Sequence, residues 1–158
     1  MIDIIKYSLL GFLVLIFQWM VGDMFSIYDI TPSFLVIYII YVGLTHSQMK
    51  AIWLGFFFGF IIDSLTGTDM IGISSMGLAL VGFLAGIFHG RIVRIPIILQ
   101  YLLYTGFLVV FFIITVLVSF QDSQWTAGNI VFLILLPKTI YTLGLLSGVF
   151  ILLHVGAD

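Results

Sequence analysis

The chain has no cysteine and very little charge, and both absences restrict what it can be. Without cysteine there are no disulfides, no thiolate catalysis and no cysteine-based metal sites. Only 8% of its 158 residues are charged, whereas 63% are hydrophobic and the mean hydropathy is +1.33. A soluble domain of this size needs more polar side chains to cover its surface. The composition therefore predicts an integral membrane protein with a single domain over residues 1–158.

The few basic residues alternate with the predicted loops. Lys6 precedes the first apolar stretch, Lys50 lies in the second loop, and Arg91 and Arg94 lie in the fourth. The charged residues of the other loops are all acidic, namely Asp23, Asp29, Asp69 and Asp122. Because basic residues are retained on the cytoplasmic side, this pattern predicts a multi-pass inner-membrane protein with a cytoplasmic N-terminus. No basic patch suggests a nucleic-acid partner.

Six apolar stretches are candidates for membrane-spanning helices, which need about 20 residues each. They predict an all-α bundle of about six transmembrane helices with both termini cytoplasmic. The first stretch lacks a small-residue cleavage site, so we expect a retained helix. The second is short, and the alternative is that the second and third form a re-entrant or interfacial pair. The stretches run approximately over residues 7–22, 32–44, 51–65, 70–90, 96–120 and 129–155.

Glycines four residues apart occur on three of these stretches. Such spacing lets two helix backbones approach closely in a membrane, where hydrophobicity alone does not hold helices together. Three occurrences predict a tight bundle with those helices near its centre, although glycine is also common in membrane helices by composition. The residues are Gly55 and Gly59, then Gly82, Gly86 and Gly90, then Gly144 and Gly148.

Two charged residues are predicted to lie deep in the membrane. Asp63 is about 18 Å from the inner end of the third stretch, and Lys138 about 14 Å from the outer end of the sixth. In a core about 30 Å thick these depths nearly coincide, so we expect a buried charge pair. Two alternatives are that Asp63 reaches the outer interface and that Lys138 extends its long stem towards water.

The remaining polar residues predict no catalytic or metal site. Arg91 and Arg94 are expected to bind lipid head groups or to anchor the topology. The histidines His46, His89 and His154 lack the spacing of a ligand pair and are expected at the cytoplasmic interface. No histidine lies near Ser74, Ser75 or Thr66 to activate a hydroxyl, so a membrane-embedded hydrolase is not expected. No cofactor is expected.

Between Pro32 and Arg91 several motifs follow one another. Pro32 opens the second stretch, and a Gly-Phe-x-x-Gly-x-x-x-Asp string runs from Gly55 to Asp63. A short loop then leads to Gly72-Ile73, a helix with Gly82-Phe-Leu-Ala-Gly86, and a basic loop. In this order and spacing the motifs resemble the MreD family, the small membrane proteins of the bacterial rod-shape system. The family often has an acidic or amide residue after the proline, where this chain has Ser33. Lys138 matches no family motif.

The resemblance implies a non-enzymatic scaffold. Proteins of this family act with MreC, with the MreB filament, and with the RodA glycosyltransferase and its penicillin-binding transpeptidase, to guide lateral wall synthesis. It also implies a fold like that of the substrate-binding subunits of energy-coupling-factor transporters. A partner's single helix is expected to dock on a glycine-lined face, unless the same residues hold the bundle together. These partner-binding or bundle-packing residues are Pro32, Gly55, Gly59, Asp63, Gly72, Gly82 and Gly86.

The alternative function is that of such a transporter subunit. It requires a polar cavity near the outer face, which Asp63 and Lys138 would line. Those subunits usually have alanines four apart on the first helix, where their energising partner docks. Here that helix reads Ser-Leu-Leu-Gly-Phe-Leu-Val over residues 8–14 and lacks them.

Overall fold

The computed structural model describes residues 2–21, 33–66, 71–92, 95–119 and 136–155. This part of the chain is entirely helical and contains no strand, which confirms the predicted all-α class. Each helix coincides with one of the apolar stretches found in the sequence. The helices are α1 (Ile2–Val21), α2 (Phe34–Thr45), α3 (Gln48–Thr66), α4 (Ile73–Ile87), α5 (Ile97–Ser119) and α6 (Leu136–Val155).

The helices differ in whether they are long enough to cross a membrane. The segments Gln48–Leu65 of α3 and Ile97–Val116 of α5 are both long and apolar enough. Helix α4 is shorter than the predicted stretch of residues 70–90, because it ends at Ile87 and the chain then turns through Gly90, whose φ is +67°. Two candidate spans are therefore observed among the described residues, and six spans remain a prediction.

Helix α2 lies at the centre of the bundle and is buried on all sides. Its 12 residues extend about 18 Å, well short of the roughly 30 Å of a bilayer core. A helix that is apolar all round is stable only when other elements cover it. Here α1, α3 and α4 pack around it. Its buried residues are Leu35, Val36, Ile37, Tyr38, Ile39, Ile40, Val42, Gly43 and Leu44.

Glutamine side chains satisfy backbone groups near helix ends. The N–H of Leu35, at the start of α2, donates to Oε1 of Gln18 on α1 at 3.0 Å. At the other end of the bundle, Nε2 of Gln100 donates to the carbonyls of Ile92 and Ile95, both at 2.8 Å. An unpaired backbone group costs several kcal/mol in lipid. These polar side chains therefore allow helices to end within apolar surroundings.

Large apolar side chains cover the outward faces of the bundle. Leu9 on α1 is 67% exposed, Phe57 on α3 is 64% exposed and Ile98 on α5 is 82% exposed. Extended apolar surface of this kind marks contact with a membrane or another protein. The core behind it is also apolar, and includes Phe58, Leu78, Leu108, Phe112 and Leu146.

Candidate functional site

The carboxylate of Asp63 caps the N-terminus of the neighbouring helix α4. Its side chain leaves the last turns of α3 and is only 2% exposed. Oδ2 accepts hydrogen bonds from the backbone N–H groups of Gly72 at 2.8 Å, Ser74 at 3.1 Å and Ser75 at 3.5 Å. The first N–H groups of a helix have no partner within the helix, and its dipole favours a negative charge there. Asp63 thus joins α3 to α4 in place of a local capping residue.

Gly72 makes this cap possible through its backbone conformation. Its φ of +112° is one that residues with a side chain rarely adopt. No described heavy atom lies within 4 Å of the position that a Cβ would occupy, so the requirement is conformational and not spatial. The turn at Gly72 directs three N–H groups to one carboxylate, and this explains why Asp63 and Gly72-Ile73 occur together in the sequence.

Helices α3 and α4 pack backbone against backbone through four glycines, Gly55 and Gly59 of α3 and Gly82 and Gly86 of α4. A Cβ added at Gly55 would lie 2.6 Å from the carbonyl oxygen of Leu78, and one added at Gly82 would lie 2.7 Å from that of Ala51. One added at Gly59 would clash with the backbone of Ser75. Since residue numbers rise along α3 as they fall along α4, the two helices are antiparallel.

Helix α4 is closed on the side of α2 as well. A Cβ at Gly43 of α2 would lie 2.8 Å from Cβ of Ala85, while on the α3 side one at Gly86 would lie 2.5 Å from Cα of Gln48. Helix α4 is therefore held between α2 and α3, and the glycines of its central turns contact the bundle itself. Of the two roles considered for these glycines in the sequence, their contacts in the structure are those of bundle packing.

The charge pair predicted between Asp63 and Lys138 is not formed. Nζ of Lys138 lies 5.4 Å from the ring centroid of Phe112, and no ion pair joins it to Asp63. The expectation came from depth along two helices, which does not fix their lateral separation. It also ignored the backbone N–H groups of α4, which take up the carboxylate. A lysine over an aromatic ring is a cation–π contact.

The other predicted site residues are not gathered around this cap. Arg91 is exposed just beyond the end of α4, whereas Pro32 and Arg94 lie outside the described residues. Nδ1 of His89 lies 3.0 Å from the carbonyl oxygen of Leu44, at the end of α4 remote from Asp63. Within the described ranges, no three His, Cys, Asp or Glu side chains lie together as in a metal site.

The hydroxyl of Ser75 lies in the first turn of α4, among the described residues around the cap. Ser75 is 2% exposed, and its Oγ has no hydrogen-bond partner there. His89 follows the opposite end of α4, about 20 Å away along the helix axis. The arrangement at the cap provides hydrogen bonds that join α3 to α4.

Sequence reasoning missed the capping side chains and a groove between α1 and α3. Gln18 and Gln100 had no signal beyond being amides in apolar segments. The groove has a volume of about 510 Å³ and includes Lys50 in its lining. In the sequence Lys50 indicates only topology, because the pairing of α1 with α3 is not visible there.

Taken together, the helices, the apolar outer surface and the buried polar caps define a small all-helical protein with candidate membrane-spanning segments. The family model for the rod shape-determining protein MreD matches residues 1–155, and the chain belongs to the MreD family. This confirms the resemblance found between Pro32 and Arg91 and extends it to nearly the whole sequence. No curated protein and no solved structure matches the chain significantly.

Proposed function

We propose that this protein is a non-enzymatic membrane scaffold of the rod-shape system, which binds MreC and helps to position lateral peptidoglycan synthesis. The observation that carries the proposal is the match to the MreD family over residues 1–155, which implies a role in rod-shape determination. MreB, RodA and a penicillin-binding transpeptidase complete the proposed assembly. The transporter-subunit alternative is not favoured, because the matching family is MreD.

The proposed location is the bacterial inner membrane, crossed several times with both termini in the cytoplasm. The basic residues support this orientation, since Lys6, Lys50 and Arg91 fall in the segments assigned to the cytoplasm. The apolar outer faces and the two candidate spans agree with membrane insertion. The likeness to transporter subunits remains a prediction about the fold.

The packing of α3 on α4 constrains how a partner's helix would bind. Gly55, Gly59, Gly82 and Gly86 are occupied within the bundle, so they are not free to receive another helix. We infer that MreC contacts an outward face formed by large side chains. Three such faces are represented by Leu13 on α1, Phe56 on α3 and Leu102 on α5, which are 60%, 50% and 69% exposed.

The test is co-purification of the full chain with MreC of the same organism from detergent. A complex of fixed stoichiometry is expected, with an unrelated single-span protein as the negative control. Leu13, Phe56 and Leu102 are each replaced by alanine in a separate variant. Only the variant on the face that contacts MreC should bind MreC less tightly, and its thermal unfolding should be unchanged. Each variant is then a control for the other two.

A second readout concerns cell shape. Depletion of the protein is expected to make rod-shaped cells round, and re-expression of the wild-type chain should restore the rods. If the folded chain does not associate with MreC and instead gains thermal stability from a vitamin or metal ion, the scaffold proposal is overturned.

A further inference from the structure

The groove between α1 and α3 combines apolar walls with a charged group at one end. Its volume of about 510 Å³ lies within the range of small-molecule binding sites. One charged side chain, that of Lys50, is among the residues that line it. Its walls include Phe12 of α1 with Trp53, Phe57 and Ile61 of α3. The groove is therefore apolar along its walls and has a cation at one end.

Lys50 is held at this end by both helices. It lies in the first turn of α3, and its Nζ is 5.6 Å from the ring centroid of Tyr7 on α1. Asp63, the one carboxylate whose side chain the structure describes, lies near the other end of α3 and is bonded to α4. A contact with the face of an aromatic ring leaves ammonium N–H groups available to an anion. The ammonium is thus placed by the bundle and still has capacity for a negatively charged ligand.

The length of the groove matches one leaflet of a bilayer. From Lys50 to Ile61 the lining of α3 extends about 16 Å along the helix axis. Half of a hydrocarbon core of about 30 Å is about 15 Å. The aromatic walls are open to the side, since Phe12, Trp53 and Phe57 are 51%, 63% and 64% exposed. A ligand can therefore enter laterally from the membrane.

We propose that this groove binds one anionic phospholipid from the leaflet at the N-terminal end of α3. The phosphate contacts the Lys50 ammonium, and an acyl chain lies along the aromatic walls towards Ile61. The proposal rests on the membrane placement given under the proposed function. The cation favours this occupant, because an apolar helix offers no charge to the ammonium and the choline of a zwitterionic lipid offsets its own phosphate.

The first test compares lipid affinity by native mass spectrometry of the purified full chain. The probes are phosphatidylglycerol and phosphatidylcholine with identical acyl chains. We expect tighter binding of phosphatidylglycerol, a loss of about fivefold in its affinity in Lys50→Gln, and retention in Lys50→Arg. Arg91→Gln is the matched comparison, because it removes an exposed charge outside the groove that is itself expected to contact lipid head groups, and it should lower this affinity less than Lys50→Gln does.

A second variant tests the apolar part of the site. Ser8 is exposed and lines the groove, so Ser8→Trp should fill it and reduce binding of phosphatidylglycerol without removing Lys50. Leu13→Trp introduces the same side chain on the same helix outside the groove, and should bind the lipid as the wild type does. Thermal unfolding of both variants in detergent shows whether the bundle remains folded.

Equal affinity for the two lipids, or an unchanged affinity in Lys50→Gln, would overturn the lipid site. Loss of MreC from folded Ser8→Trp with unaltered lipid binding would show a partner's helix in the groove and overturn it too. Lipid selectivity that requires Lys50, in a chain that never co-purifies with MreC, would leave the lipid site standing while the scaffold function fails.

Discussion

Two glycine pairs in this chain have the same spacing and opposite surroundings. Gly82 and Gly86 lie four residues apart on α4, and a Cβ on either would meet α3 backbone at 2.7 or 2.5 Å. Gly144 and Gly148 lie four apart on α6, and no described heavy atom lies within 4 Å of either Cβ position. Spacing alone therefore does not identify a packed interface in this family member.

The difference follows from what holds the two helices in place. Helix α4 is joined to α3 by the Asp63 cap and packs against α2 on its other side. Between α6 and α5, the ammonium of Lys138 lies over the ring of Phe112. The close backbone approach of α3 and α4 therefore coincides with a polar cap that joins the same two helices.

Replacing Gly59 by leucine should have the largest effect. Its Cβ would overlap the backbone of Ser75, which cannot move as the end of a flexible side chain can. Overpacking of this kind costs about 3 kcal/mol or more. We expect a much lower thermal unfolding midpoint in detergent, or no monodisperse protein. Gly144→Leu is the control, and equal midpoints for the two variants would contradict the distinction between the glycine pairs.

Asp63→Asn should have the next largest effect, because it removes the charge from the closed interface. Hydrogen bonds to charged groups contribute about 1.5–3 kcal/mol, and the amide offers one acceptor oxygen to several N–H donors. We expect destabilisation of about 2 kcal/mol. The control is Ser64→Ala, next in sequence, where the hydroxyl only bonds to the Phe60 carbonyl on its own helix. A midpoint like that of the control would show that the cap is dispensable.

Alanine at Gly82 and at Gly144 should change stability in opposite directions. At Gly82 the new methyl group would lie 2.7 Å from the carbonyl oxygen of Ala51, so we expect a loss of about 1–2 kcal/mol. At Gly144 it meets no described atom, and alanine is favoured over glycine in helices by up to about 1 kcal/mol. Thermal unfolding of both variants under identical conditions measures the two stability changes. Changes in the same direction would contradict the difference between the two glycine pairs.

The smallest effect concerns coupling between the two regions. Because Asp63 and Lys138 have separate partners, the stability changes of Asp63→Asn and Lys138→Met should add to within about 0.5 kcal/mol in the double variant. If the double variant loses clearly less stability than the sum of the two single losses, the two side chains interact as the sequence predicts. The four proteins of this cycle can be compared by unfolding in one detergent.

The helices themselves could be predicted from hydropathy and loop charge, since α3 and α5 are long apolar runs between polar segments. The central position of α2 could not, because a lipid-facing helix and one buried among other helices are equally apolar. Its 12 residues gave only the indication that it is short.

The site was predictable to a lesser extent. Asp63, Gly55, Gly59 and Gly72 were recognised from their order, but their common role depends on the antiparallel pairing of α3 and α4. The carboxylate bonds to backbone N–H groups, which every residue type except proline has, and so leaves little trace in the sequence. Gly72 is the exception, because its positive φ favours glycine.

The short α4 has a consequence for the surrounding bilayer. Its 15 residues extend about 22 Å, whereas the 23 residues of α5 extend about 35 Å. Outward side chains of α4, including Met76 and Phe83, are well exposed. On the proposed placement the protein has two hydrophobic thicknesses around its perimeter. Lipid beside α4 must thin to match it, at a fraction of a kcal/mol per Å. The mismatch favours association, on the side of α4, with membrane proteins whose apolar segments are also short.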